Sequence, residues 1–287
     1  MATKTWVGTD AGNEGDWATA ANWSGSGVPA DGDTVNILSG SQGVVEGFAQ
    51  QAITLAKLNI GGTLAGCDIG APGTPLVIGA TAVAIQTKNT VGVYLSGATG
   101  SDDPLAKVVI ECQDADAVVN LAGDLTTVIL RKGNLTIAGT VASLIVEPLN
   151  GDSSNCSFDV QNATVTSLIN DGGVGSIDHA SAVVTTYKGF GASITTMDEG
   201  TATNIETSGT AKFIHNAPTT TAAIVQYGSS DVNTSEDLRP KTVTAWNKAR
   251  KASSSVGNNV TLTGTTIKDL AGDAILSQSP MYPGSTP

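Results

Sequence analysis

Histidines, the side chains best suited to acid–base chemistry near neutral pH, are few and widely separated in this sequence. Its only histidines are His179 and His215, which stand far apart. An imidazole titrates near neutral pH and suits proton transfer, but a lone histidine among Thr and Ala residues is typical of a structural position. The sequence contains no H-E-x-x-H, G-x-S-x-G or C-x-x-C motif and no phosphate-binding glycine loop.

Paired carboxylates could instead act on polysaccharides, as they do in glycoside hydrolases. Asp114 and Asp116 are two residues apart, so a strand would place both on one face. The other candidates are adjacent residues that a strand points to opposite faces: Asp102 with Asp103, and Asp198 with Glu199. No aromatic residue that could hold a sugar lies near Asp114, and no segment has the dense Asp/Asn/Gly pattern of a calcium loop. We therefore expect a polar loop between Ile110 and Val118, and a protein that is not an enzyme and needs no metal or cofactor.

The three cysteines, Cys67, Cys112 and Cys156, are an odd number at wide intervals. This spacing suits neither a disulfide framework nor a metal site. We expect each cysteine to fill a small core position, which is consistent with folding in a reducing compartment.

Composition favours an all-β chain. Glycine contributes 34 of 287 residues, threonine contributes 37, and charged residues make up only 14 %. Because the usual Lys/Glu surface of a helical protein is missing, a helix bundle, a coiled coil and alternating strand–helix units are all disfavoured. The hydrophobic fraction of 40 % is enough for a core, which small and β-branched residues must build because aromatics are only 4 %.

Net charge and its distribution narrow the choice of partners. The chain carries a net charge of −12, so a phosphate backbone is repelled and nucleic acid is not an expected partner. The longest apolar run is too short to span a bilayer and the N-terminus has no apolar signal region, so we expect no membrane partner and no secretion signal. Five of the 14 basic residues lie within one short stretch that also holds Trp246: Arg239, Lys241, Lys248, Arg250 and Lys251. This stretch is either a solvated segment or a tail that docks on an acidic partner surface.

A loose repeat runs through the middle of the chain. The apolar anchors Leu168, Tyr187, Ile205 and Ile224 recur at intervals of 18 or 19 residues, with short strands and Gly/Asn/Asp turns between them. This period predicts a right-handed parallel β-helix, or β-solenoid, whose anchors stack into ladders inside the tube. The alternative is a β-sandwich or jelly roll, which also has frequent turns.

We predict three regions: an N-terminal aromatic cap over residues 1–40, a solenoid body over 41–235, and a C-terminal extension with the basic cluster over 236–287. The cap would hold Trp6, Trp17 and Trp23, since three indoles could cover the open end of the first coil.

The opening of the chain reads W-x-G…G-x-W…N-W-S…G-x-P-x-x-G-D-x-V-x-I from Trp6 to Ile37, followed by Leu55–Gly61 and Pro75–Ala80. The Trp6–Ile37 motif resembles two groups of β-helical proteins: passenger-type repeats of bacterial surface proteins, and virion proteins of tailed bacteriophages. The two later segments resemble the phage group. The resemblance covers about residues 5–85. The phage group implies a trimeric cement, or decoration, protein that binds the major capsid protein on the exterior of the head after synthesis in the host cytoplasm.

An export signal would be expected for a surface passenger, and its absence here favours the phage group. The alternatives are a tail spike or fibre that binds host glycans, and a surface adhesin. For the decoration protein, the predicted partner contacts are the three N-terminal tryptophans with Arg239, Lys241, Trp246, Lys248, Arg250 and Lys251, because aromatic and Arg residues commonly anchor interfaces.

Overall fold

The chain folds as a right-handed parallel β-helix of about nine turns in a computed structural model. The structure describes residues 1–25, 27–38, 43–62, 69–87, 92–98 and 104–233, and the backbone of six short strands between 241 and 276. Contacts divide the chain into two compact units, Met1–Phe158 and Asp159–Pro287. The predicted divisions at 40/41 and 235/236 stay predictions.

The described residues of the first unit form ten strands and three short 3-10 helices. The strands are β1 Thr3–Thr5, β2 Thr34–Ile37, β3 Ala49–Leu55, β4 Lys57–Gly62, β5 Leu76–Ala80, β6 Val83–Thr87, β7 Val93–Ser96, β8 Leu105–Glu111, β9 Val118–Ala122 and β10 Asp124–Val146. The 3-10 helices are Ala20–Asn22, Leu149–Gly151 and Ser153–Asn155.

Parallel pairing between successive coils aligns buried aliphatic residues into columns, meaning side chains at the same position of neighbouring coils. β1, β2, β4, β6, β8 and β10 pair in that order. One inward column of this stack is Val35, Leu58, Val83, Val108 and Val128, each no more than 2 % exposed. Stacked β-branched residues fill the narrow interior and hold each coil in register with the next.

In the second unit, strands of successive coils again pair in parallel. They are β11 Cys156–Asp171, which begins at the end of the first unit, then β12 Val174–Ile177, β13 Val183–Phe190, β14 Ile194–Met197, β15 Thr201–Thr207, β16 Lys212–His215, β17 Thr220–Thr221, β18 Ala223–Gln226, β19 Asp231–Asn233, β20 Lys241–Val243, β21 Trp246–Lys248, β22 Ser253–Ser255, β23 Val260–Leu262, β24 Ile267–Asp269 and β25 Ala274–Leu276.

The predicted anchor ladder is confirmed in this unit. Leu168 pairs with Tyr187, Tyr187 with Ile205, and Ile205 with Ile224, and all four side chains are buried. A second parallel stack, β12, β14, β16 and β19, runs beside it. The sandwich alternative is wrong because these strands pair in parallel with the equivalent strand of the next coil.

Parallel pairing also continues beyond residue 235. β18 pairs with β21 and β21 with β24, while β17, β20 and β23 form a separate three-stranded parallel sheet. The last described strand, β25, pairs with β24 in the antiparallel direction.

Candidate functional site

The three N-terminal tryptophans form one buried cluster around Trp23. The centroid of the Trp23 ring lies 4.9 Å from that of Trp6 and 4.6 Å from that of Trp17, with interplanar angles of 72° and 73°. The indole Nε1 of Trp23 donates a hydrogen bond to the carbonyl oxygen of Trp17 at 2.8 Å. Edge-to-face contact of this kind is favourable between aromatic rings, so the cluster is a packed piece of core.

Asn22, which precedes Trp23, holds the surrounding loop in place. Its Nδ2 donates to the carbonyl oxygens of Asn13 and Asp16 at 2.5 and 3.0 Å, and its Oδ1 accepts from the amide of Asp10 at 3.0 Å. The side chain is fully buried. One amide group therefore pairs with three backbone groups of the surrounding loop, which gives a physical reason for the asparagine of the N-W-S motif.

The segment after Asn22 closes the outer edge of the first strand. Trp6 and Trp23 form an antiparallel bridge, the amide of Ser24 donates to the carbonyl oxygen of Thr5, and the amide of Thr5 donates to Oγ of Ser24, both at 2.9 Å. An uncovered parallel strand would offer these groups to another chain. The motif thus builds a cap that terminates the sheet.

Asp33, in the G-D step of the motif, ties the start of β2 to the N-terminus. Its carboxylate accepts the amide of Ala2 at 2.6 Å and the amide of Ala30 at 3.1 Å. These two backbone donors hold the pKa of Asp33 below its usual range.

The three tryptophans predicted to contact a partner are buried in the folded chain. Trp6, Trp17 and Trp23 are only 1, 0 and 3 % exposed, so a partner of the folded chain meets almost none of the indole surface. The exposed large apolar residues of this end are instead Met1, Val28, Leu38 and Val45. The predicted contact role of the three tryptophans stays a prediction, and these four side chains are the apolar surface that a partner could meet at this end.

The predicted basic contacts can be placed only in part. Arg239, Arg250 and Lys251 lie outside the described residues. Lys241 lies on β20, and Trp246 and Lys248 lie on β21, where the structure describes the backbone. Trp246 is in register with Ile224 and therefore occupies the next position of the anchor ladder. Docking of this stretch on an acidic partner stays a prediction.

The two histidines and the Asp114–Asp116 pair make local contacts. The buried His215 places Nε2 2.9 Å from Oγ1 of Thr221, and the exposed His179 accepts the amide of Ser181 at Nδ1. Oδ1 of Asp114 accepts the amide of Asp116 at 3.1 Å, as in a turn. Within the described residues, no group of three or more His, Cys, Asp or Glu could hold a metal ion.

Among the residues with described structure, no helix is both long enough and apolar enough to cross a membrane.

Two of the cysteines occupy the core positions expected of them, whereas Cys67 lies outside the described residues. Cys112 and Cys156 are each 1 % exposed and free. Burial raises the pKa of both thiols, that of Cys156 to about 12.

We expect neither Cys112 nor Cys156 to react with an aromatic disulfide reagent at pH 8 in the folded protein, because the thiolate is the reactive form. A Cys67→Ser variant isolates these two thiols. It should release no chromophore in buffer and two equivalents in denaturant. Prompt release from the folded variant would contradict the burial described here.

An outward-facing surface of the second unit combines apolar and acidic side chains. Val174 on β12 and Ile194 on β14 are paired across neighbouring coils and are 41 and 40 % exposed. Asp178 directly follows β12, and partial burial, together with the nearby carboxylates of Asp159 and Asp198, raises its pKa.

We expect Asp178→Asn to raise the free energy of unfolding at neutral pH. A carboxyl whose pKa is raised by folding favours the folded state while protonated, and this contribution is lost as pH rises above its unfolded pKa of about 3.9. The free energy of unfolding of the variant should therefore exceed that of the natural chain above about pH 4, and the difference should disappear in stronger acid. Urea unfolding measured from pH 3 to 8 checks this, and a gain independent of pH would contradict it.

Sequence reasoning missed this surface because it searched for carboxylates close together in the sequence. Asp159, Asp178 and Asp198 are each about one coil apart and meet only through stacking. One pattern in the sequence could have indicated it. Asp178 and Asp198 each come directly after a short strand, and the last residues of those strands, Ile177 and Met197, are register partners.

The chain was compared with protein-family models, with curated proteins and with solved structures, and each comparison found no match.

Proposed function

We propose that this chain is a decoration protein of a tailed-phage head, which binds the major capsid protein on the shell exterior as a homotrimer. The observation that carries the proposal is that the motif residues on which the resemblance depends build one structural device, the aromatic cap and first coil. Trp6, Trp17, Trp23, Asn22 and Asp33 all lie within it. The residues that carry the resemblance therefore have a structural role in this chain, which supports the proposal.

The interior of the fold suits a holding function. Inward columns are filled with buried aliphatic residues, and parallel pairing locks each coil to the next. A stiff body of this kind loses little conformational entropy when it bridges two capsid subunits. Because it would bind the assembled shell better than separate capsomers, binding stabilises the shell by mass action.

The direct experiment mixes the purified chain with undecorated heads and measures cosedimentation, followed by imaging of the decorated particles. Saturable binding with a fixed copy number, and heads that survive a higher temperature when decorated, would support the proposal. Absence of saturable binding would refute it.

A glycan array run in parallel tests the tail-spike and adhesin alternatives. Specific binding of a host polysaccharide by a chain that leaves heads undecorated would replace the decoration function with glycan binding.

A further inference from the structure

The second unit exposes an aliphatic pair on the outward face of β12 and β14. Val174 and Ile194 are register partners on neighbouring coils, which stack about 4.8 Å apart, so their side chains form one continuous apolar spot. The next outward column contains Ser176 and Thr196. The residues that point inward from the same strands, Ile177 and Met197, are fully buried, so the exposed pair contributes nothing to that core.

A pair of carboxylates lies beside this apolar spot. Ser176, two residues from Val174 on the same face, donates through Oγ to Oδ1 of Asp159 at 2.8 Å. Nε2 of Gln161 donates to the other oxygen, Oδ2, also at 2.8 Å. Asp178 directly follows β12, close enough to Asp159 for that carboxylate to help raise the pKa of Asp178. Two like charges this close repel one another, and a cation placed between them would offset the repulsion.

We propose that Val174, Ile194, Asp159 and Asp178 form a docking surface for a protein segment that presents an arginine or lysine. The inference rests on the proposed function, in which that segment belongs to the capsid shell. This surface would be a contact on the solenoid body, in addition to contacts at the cap and the basic stretch.

Charge complementarity selects this occupant. The aliphatic stem of an arginine or lysine can lie along Val174 and Ile194 while its charged head reaches the two carboxylates, so one side chain uses both features. A polyanion such as nucleic acid would meet the same carboxylates with like charge. The half-buried Lys212 on β16 is the register partner of Ile194 and bounds the apolar spot on that side.

Two substitutions test the surface by head binding: Asp178→Asn removes one carboxylate, and Ile194→Thr makes the apolar spot polar while keeping a β-branched strand residue. Each should weaken binding to undecorated heads by about tenfold, the scale of one charge-assisted or well-packed anchor contact. Asp178→Asn should do so although it makes the chain more stable. If Asp178 affected binding only through the stability of the fold, the more stable Asp178→Asn variant would bind heads at least as well as the natural chain.

The matched controls lie on the β11–β13–β15 sheet of the same unit. Asp171→Asn makes the same charge change at an exposed position, and Val183→Thr makes the same polarity change at a half-buried one. Both should bind heads as the natural chain does. Binding of the natural chain should also weaken with added salt, as expected for an ionic contact.

The outcomes separate this surface from the function on which it rests. If the natural chain decorates heads and either test variant binds as well as its control, the docking surface is wrong while the function stands. If the natural chain does not decorate heads, both the function and this assignment of the partner fail.

Discussion

Trp17→Ala is expected to lower the free energy of unfolding by about 3–5 kcal/mol, the usual cost of truncating a fully buried tryptophan to alanine. The indole of Trp17 is 0 % exposed and packs edge-to-face on Trp23. Its loss leaves a cavity under the cap, and Trp23 then loses one of the two rings on which it packs. Urea unfolding followed by far-UV circular dichroism measures the change.

The same substitution should change the state of association. The segment at Trp23 and Ser24 covers the edge of β1, and a loosened cap uncovers backbone groups that can pair with another chain. We expect light scattering after size exclusion to detect species larger than those of the natural chain.

Two controls bracket the effect. Trp17→Phe keeps an aromatic ring and should cost less than the alanine variant, while Val28→Ala, at an exposed position of the same region, should stay within about 0.5 kcal/mol of the natural chain. An unfolding midpoint of Trp17→Ala equal to that of Val28→Ala would show that the cap adds nothing to stability.

The second half of the fold was readable from sequence because its coils are nearly equal in length. Leu168, Tyr187, Ile205 and Ile224 recur at almost constant spacing, and the same four residues stack in the structure. In the first unit, the column from Val35 to Val128 has intervals that vary between 20 and 25 residues. Loops of variable length change the interval without disturbing the stack, and so they hide the ladder from a search for a fixed period.

The candidate contacts were harder to predict because residue type does not tell a core from an interface. Trp6, Trp17 and Trp23 suit both a cap and a binding anchor, since both bury large aromatic surfaces. Only the packing shows that the indoles face one another. The pairing of Asp178 with Asp159 depends on which coil lies beside which, and the sequence period alone was too loose to fix that register.

Gly123→Ala is expected to cost about 3–5 kcal/mol, or to prevent folding, because it combines backbone strain with overpacking. Gly123 has φ +73°, a region that L residues with a side chain rarely adopt, and a Cβ there would lie 2.0 Å from the carbonyl oxygen of Gly97. Gly139 repeats the situation on the next coil, where a Cβ would lie 2.4 Å from the carbonyl oxygen of Gly123. The coils approach too closely at this corner for any side chain.

Gly12→Ala is the matched control, since Gly12 also has positive φ, at +91°, but a Cβ there would have nothing within 4 Å. It should show the conformational cost alone, about 1–2 kcal/mol. Soluble yield and urea midpoints of Gly12→Ala, Gly123→Ala and Gly139→Ala separate the two contributions. Because the strain is common to all three, only the contact between coils can make the latter two variants worse. Equal losses in all three would mean that the corner opens to admit a methyl group and that the stack is looser than its glycines indicate.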